Sequence, residues 1–382
     1  MMVTNFFCFA VLALSHKEEI CSICENDSTL MEATGFFHRD FPFGRSTNKA
    51  IEKDLFWQAT WIETPHFGIG IDLDSWKIPP AEKKAYKAEL EKLKKSWPRI
   101  RPKVASLSRD LRLHLIASRA EAFYGEFVAM MGMKEEDFTN EEMNRLSGWG
   151  PYLGEREKFE IMVFQTAGPF REFMRTTWGL GYDKPQRWNN VDRDCLWIGV
   201  NLETEKIRHD RQIQNLLLHC LAHNLLDGFR HYSYELPVWL TEGFAHWAER
   251  RNDPRFNLFD TVESSFREKK ELEKWEPEVR KMVQKKESAS FASLLNRASF
   301  AELEWEDHLI CWSKVDFLIA QGKGKFGAFV RSLKERRDEK GFPDGSHMDD
   351  AQRAAFKSHF GWTIPKAEEV WKLWVLEKYS SK

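Results

Sequence analysis

Two histidines four residues apart are the first feature of the chain that could do chemistry. His219 and His223 lie in an apolar run that predicts a helix, so both imidazoles face the same side one turn apart. Glu242 follows nineteen residues after His223, where we expect it to open a second helix. Two histidines and one glutamate, with a fourth position left for water, form a catalytic zinc arrangement. The spacing therefore predicts Zn²⁺ bound by His219, His223 and Glu242.

The residue after the first histidine changes what this site is expected to do. In the H-E-x-x-H pattern that position holds the glutamate that acts as general base, but here it holds Cys220. A cysteine cannot accept a proton from a metal-bound water as a carboxylate does, and losing a positioned base costs about 10²–10⁴ in rate. The sequence thus predicts a metal site in which Cys220 replaces the base.

The motif resembles that of the gluzincin zinc metallopeptidases. His219-x-x-x-His223, then Glu242 inside Leu-Pro-x-Trp-Leu-x-Glu-Gly, is similar to the aminopeptidase N-like enzymes, and the Pro-Val-Trp-Leu-Thr-Glu-Gly-Phe-Ala stretch to uncharacterised bacterial gluzincin-like proteins. The resemblance is strongest over residues 205–250. It implies the same three zinc ligands and an α+β, zincin-like fold, with a sheet-containing N-terminal lobe before a mainly helical C-terminal lobe. It does not imply a catalytic glutamate, because position 220 is Cys.

Four further residues are candidates for supporting roles. The resemblance places His308 near the position of an oxyanion-stabilising tyrosine, although a surface histidine at a helix start is the alternative. His246, one turn after Glu242, can hydrogen-bond and orient that carboxylate. Asp227, one turn after His223, either supports the ligands in the same way or lies at the exposed end of the helix. Glu235 is the candidate for a replacement base.

Three functions follow from these residues. The first is a gluzincin-like pseudopeptidase that binds zinc and holds a peptide or protein ligand in its cleft, with impaired or absent hydrolysis. The second is an active zinc-dependent metallopeptidase whose base comes from Glu235 or from the helical lobe. The third is a structural or interaction protein in which the histidines bind no metal.

A second, weaker metal signal lies near the N-terminus. Cys21 and Cys24 form a C-x-x-C pair flanked by His16 and His38, a donor set suited to a small zinc knuckle. A disulfide, if the chain is exported, and two unliganded thiols are the alternatives.

Composition excludes some partners. The 57 Lys and Arg residues nearly balance 59 Asp and Glu, for a net charge of −2, which gives no reason to expect nucleic acid as a partner. No apolar stretch reaches the 18 residues of a membrane span. The ten-residue apolar run 6–15 matches the core of a signal peptide. This match favours a secreted or periplasmic protein. If the run is not a signal peptide, we expect a cytoplasmic protein.

The elements that must position the site divide the chain into four parts. We expect a signal-like segment over 1–20, an irregular cysteine-containing arm over 21–55, an α/β lobe over 56–204, and the metal helix with a helical lobe over 205–382. Strands are predicted on either side of Pro65 and at 158–164 and 197–200, and a polar turn is predicted over 189–194. Helices are predicted at 80–97, 117–131, 169–178, 210–228 and 242–251, with Asp210 as the cap of the metal helix.

Overall fold

The computed structural model describes residues 21–38, 59–138, 150–190, 195–258 and 273–380. The predicted signal-like segment 1–20 lies outside them, as do His16 and the end of the predicted arm. The strands are β1 (Thr60–Glu63), β2 (Phe67–Ile71), β3 (Trp76–Lys77), β4 (Ser106–Leu107), β5 (Phe159–Phe164), β6 (Gln186–Asn190) and β7 (Cys195–Asn201). The helices are α1 (Ser28–Thr34), α2 (Lys83–Leu93), α3 (Arg109–Met130), α4 (Ala167–Trp178), α5 (Asp210–Gly228), α6 (Val238–Asn252), α7 (Trp275–Lys285), α8 (Phe291–Leu294), α9 (Trp305–Ala320), α10 (Lys323–Lys334), α11 (Met348–Phe360) and α12 (Ile364–Lys378).

A five-stranded mixed sheet forms the first half of the fold. Its order is β1-β2-β5-β7-β6, with β2, β5 and β7 parallel and the two edge strands antiparallel to their neighbours. Alternate residues of β5 face opposite sides of the sheet. Ile161 and Val163 join the main core, whereas Met162 and Phe164 join a smaller cluster that includes Phe170 of α4. Both faces of β5 are therefore covered, which explains why all six of its residues are buried.

Helices dominate the chain after the sheet. Helix α5 packs between β7 and α6, and α6 packs in turn against α9. Gly243 of α6 approaches the backbone of α9 closely, since a Cβ at this position would lie 2.5 Å from the carbonyl oxygen of Cys311. Helices α5, α6 and α9 therefore pack together, and the predicted zinc ligands lie where they meet.

The prediction of a sheet-containing part followed by a mainly helical part is confirmed as a mixed α/β architecture. The strands around Pro65 and the helix ending at Gly228 also form as predicted. No helix in the described part of the chain is long and apolar enough to cross a membrane.

Four local predictions were wrong. The arm predicted as irregular contains α1, whose N-terminus is capped by the Asp27 side chain. The predicted turn 189–194 begins inside β6, because antiparallel pairing with β7 extends that strand to Asn190. Asp210 is the first residue of α5 rather than its cap, which is His209. Glu242 lies inside α6, which begins at Val238, where Pro237 precedes the first turn.

Candidate metal centre and adjoining cavity

Helix α5 carries both histidines into the interior. All its residues from Ile213 to Gly228 are buried, because the helix packs on the sheet on one side and on α6 on the other. Its first residue, Asp210, accepts hydrogen bonds from Tyr86, Arg112 and Arg119 and fixes the start of the helix against α2 and α3. This buried ionic contact therefore fixes the position of α5, and with it the positions of His219 and His223.

The structure brings the three predicted ligands together. The donor atoms of His219, His223 and Glu242 lie within 4.8 Å of one another, and each residue is at most 5 % exposed. His223 Nε2 is 3.2 Å from Glu242 Oε1. Donors bound tetrahedrally to zinc at about 2.0–2.2 Å are about 3.3–3.5 Å apart, so this pair is already close to the spacing that a single ion requires.

Two more histidines extend the cluster. His246 Nε2 lies 2.9 Å from His308 Nδ1, a hydrogen-bond distance, and both rings are fully buried. Glu242 Oε2 is 3.9 Å from His246 Nε2 and 3.7 Å from His308 Nδ1. The structure thus places both predicted supporting histidines beside Glu242. His308 is buried rather than on the surface.

Glu249 also belongs to the cluster, although the sequence analysis did not select it. Its Oε1 lies 2.7 Å from His246 Nδ1 and its Oε2 lies 3.4 Å from His219 Nδ1, so one carboxyl links a predicted ligand to a supporting histidine. Its Oε2 also accepts a hydrogen bond from the Leu258 amide. The signal was present, because Glu249 lies two helical turns after Glu242 on the same face of α6.

Burial controls the charge of these groups. It lowers the pKa values of His219 and His246 well below the usual value for histidine, and it raises the pKa of Glu249 well above that of a free glutamate. His219 and His246 are therefore neutral near neutral pH, which is the form that binds a metal.

A cavity of about 560 Å³ adjoins the cluster. His223 and Glu242 lie in its wall, together with residues from the turn before α6, from the segment 295–300 and from the start of α11. Its charged lining residues besides Glu242 are Arg187, Asp227, Glu235, Arg297 and Asp349. A ligand in this cavity would therefore meet both the metal donors and groups of either sign.

Asp227 is buried in this wall rather than exposed at the end of α5. Its Oδ2 lies 3.3 Å from Arg187 Nη1, and its backbone carbonyl accepts a hydrogen bond from Lys334 Nζ at 2.8 Å. Burial raises the pKa of its carboxyl group. Asp227 thus forms part of the cavity wall that also contains His223 and Glu242.

Cys220 lies outside both the donor cluster and the lining of the cavity. It is 6 % exposed and belongs to the main hydrophobic core. Across the described ranges it joins no group of metal donors and does not line the cavity. The carboxylates that do line the cavity, apart from Glu242, are Asp227, Glu235 and Asp349. Position 220 therefore supplies no base to a ligand in this cavity.

Comparison of the chain with protein-family models, curated proteins and solved structures finds no match in any of the three. The chemistry of the cluster and its cavity therefore carries the assignment of function.

Proposed function

We propose that this chain is a gluzincin-like zinc protein that holds a peptide or protein segment in the cavity beside its metal site, with impaired or absent peptidase activity. One observation carries the proposal. Three buried donors from two helices, His219, His223 and Glu242, converge to within 4.8 Å of one another, and two of them form part of the cavity wall.

The donor set fits zinc. Two neutral imidazoles and one carboxylate are the ligands of a catalytic site, and Glu249 beside His219 is the kind of carboxylate that orients a ligating histidine. Zinc, when bound, polarises a carbonyl and lowers the pKa of a coordinated water. The chain's own residues supply the donors, the orientation and the walls of the adjoining cavity.

The cavity supports peptide binding. It is large enough for a few residues of an extended chain. Its wall carries Arg187, which pairs with Asp227, and Arg297, which pairs with Asp307, so the polar groups of a peptide would meet charges of either sign. The near-zero net charge of the chain supports a peptide or protein ligand rather than nucleic acid.

Impaired hydrolysis is proposed from position 220. Cys220 packs in the core, so position 220 provides no carboxylate that could accept a proton from a metal-bound water. A second candidate function is a working metallopeptidase, and one observation favours it: Glu235 lines the same cavity as the ligands and can act as a base from another direction.

Metal content tests the site. Elemental analysis of the full-length protein should show that His219→Ala and Glu242→Gln each lose about one equivalent of zinc relative to the parent. His359→Ala, on the helix α11 and outside the cluster, is the matched control and should keep the parent value. Equal zinc in parent and His219→Ala would overturn the site, and no zinc in either would favour the structural role.

Hydrolysis of a mixed set of fluorogenic peptides tests the role of Cys220. Position 220 faces the core, but a glutamate side chain extends two atoms beyond that of cysteine. We expect Cys220→Glu to raise the rate by about 10²–10⁴ by bringing a carboxylate toward the metal-bound water, whereas Cys220→Gln should not. The zinc content of both variants shows that the site is intact. Parent hydrolysis that disappears in Glu235→Gln would instead establish the second candidate function.

A further inference from the structure

Four cysteine and histidine side chains meet far from the His219 cluster. Cys21, Cys24, His38 and His114 place one donor atom each within 4.8 Å of one another. Cys21 is 3 % exposed, and Cys24 and His114 are completely buried. The C-x-x-C pair and His38 were selected from the sequence, but His114, 76 residues after His38 on α3, was not.

The distances match those of a bound zinc ion. His38 Nε2 is 3.3 Å from His114 Nε2, and Cys21 Sγ is 3.5 Å from the same nitrogen. Tetrahedral zinc with Zn–N near 2.05 Å and Zn–S near 2.3 Å sets nitrogen pairs about 3.3 Å apart and nitrogen–sulfur pairs about 3.5–3.6 Å apart. Both measured separations therefore agree with one central ion.

The imidazoles are oriented to bind. His38 Nδ1 lies 2.6 Å from the carbonyl oxygen of Trp61, which accepts the Nδ1 proton and leaves the Nε2 lone pair facing the other donors. His114 is held edge to face against Trp97, at 4.5 Å between ring centroids. Burial lowers the pKa of His114 and keeps it neutral.

The C-x-x-C turn is also preformed. The Ile23 amide donates to Cys21 Sγ at 3.4 Å, and Glu25 and Asn26 both adopt the left-handed conformation that turns the chain back from Cys24. The hydrogen bond from Cys21 lowers the pKa of the Cys24 thiol to about 7. The turn thus holds both sulfur atoms within 4.8 Å of the imidazole donors.

We propose that Cys21, Cys24, His38 and His114 bind a second, structural zinc ion. All four positions are filled by protein, which leaves none for water or substrate. The site joins the segment 21–38 to α3 and, through Trp61, to β1. Its role is to fix this segment on the sheet-containing part of the molecule, as a closed Cys₂His₂ site does in small zinc domains.

Cobalt absorption tests the site, because a thiolate bound to Co²⁺ gives a charge-transfer band that a site of nitrogen and oxygen donors does not. We expect the band in full-length, reduced, metal-free protein loaded with Co²⁺. It should disappear in the double variant Cys21→Ser, Cys24→Ser, which removes both thiolates. It should weaken in Cys24→Ser and in His38→Gln, a half-buried position where misfolding is less of a concern. His219→Ala, which removes only the first site, and His359→Gln should both keep it.

Zinc analysis completes the test. The parent should hold about two equivalents and Cys24→Ser about one, since the two sites share no ligand. Three results would overturn the second site: absence of the band in the reduced parent, its persistence in the double variant Cys21→Ser, Cys24→Ser, or an isolated protein lighter by the two hydrogens of a Cys21–Cys24 disulfide. None of these results depends on the His219 site, whose failure would remove zinc but leave the sulfur band.

Discussion

Gly243→Ala is predicted to loosen the helix contact on which the His219 site depends. Gly243 directly follows the ligand Glu242 on α6. A Cβ added there would lie 2.5 Å from the carbonyl oxygen of Cys311 and 2.6 Å from a methyl group of Val315, both on α9. A helix carbonyl cannot rotate away from the new methyl group, so the two helices must separate.

The size of the effect follows from these distances. Carbon–oxygen contacts are ordinarily at least about 3.3 Å, so the backbones must move apart by about 0.8 Å. Overpacking of this kind costs about 1–3 kcal/mol, and the better helix propensity of alanine offsets about 1 kcal/mol. We expect a net loss of about 0–2 kcal/mol in the free energy of unfolding. Zinc affinity should fall by about 10-fold, because Glu242 moves with the backbone.

Urea unfolding and zinc competition with a chromophoric chelator measure the two effects. Gly125→Ala on α3 is the matched control, since a Cβ there meets nothing within 4 Å and the residue is exposed. It should stabilise the protein by about 0.5–1 kcal/mol and leave zinc affinity unchanged. If Gly243→Ala is as stable as its control and binds zinc equally well, the close approach of α6 and α9 does not position the site.

Three further predictions concern buried charge. Burial raises the pKa of Asp316 from 3.8 to about 6, so its stabilising contribution is complete below about pH 4 and is lost as the pH rises to 6. In urea unfolding, the free energy of unfolding of Asp316→Asn should therefore rise relative to that of the parent by up to about 3 kcal/mol between pH 4 and pH 7. A difference between the two proteins that does not change with pH would contradict the burial argument. Asp210→Ala leaves the buried guanidinium of Arg112 without its carboxylate and should cost about 3–5 kcal/mol in the same assay, whereas a loss below about 1 kcal/mol would rule out that anchor. Glu249→Gln should weaken zinc binding by about 10–100-fold in chelator competition, and an unchanged affinity would show that Glu249 does not orient His219.

The sequence predicted those parts of the site that depend on helix periodicity. His219 and His223 share a face of α5 because they are four residues apart, and His246 follows Glu242 by one turn on α6. The same rule applies to Glu249, which lies two turns after Glu242 but was not predicted. The zincin-like arrangement itself stays a prediction beyond the mixed α/β architecture.

The remaining parts depend on how distant elements pack. His308 meets His246 because α9 crosses α6 at Gly243, and His114 meets Cys21 because the segment 21–38 folds over α3. Neither contact has a periodic signature, since each joins residues more than 60 positions apart. Similarly, the edge strand β6 extends to Asn190 by pairing with β7, although the polar run 189–194 predicts a turn.

Stability alone does not account for the polar cluster in this core. Replacing buried ionic groups by apolar residues of similar volume is often neutral or stabilising, yet the described core holds His219, His223, Glu242, Glu249 and two further histidines within hydrogen-bonding or metal-binding reach. The proposed cation would account for this convergence of donors, because it would compensate the desolvation that each of them incurs. Cys220 requires no such explanation, since a small, weakly polar side chain suits its place in the hydrophobic core. The same physical reasoning therefore favours a chain that binds metal and lacks the usual base. Zinc content tests the metal binding, and the Cys220→Glu variant independently tests the absence of the base.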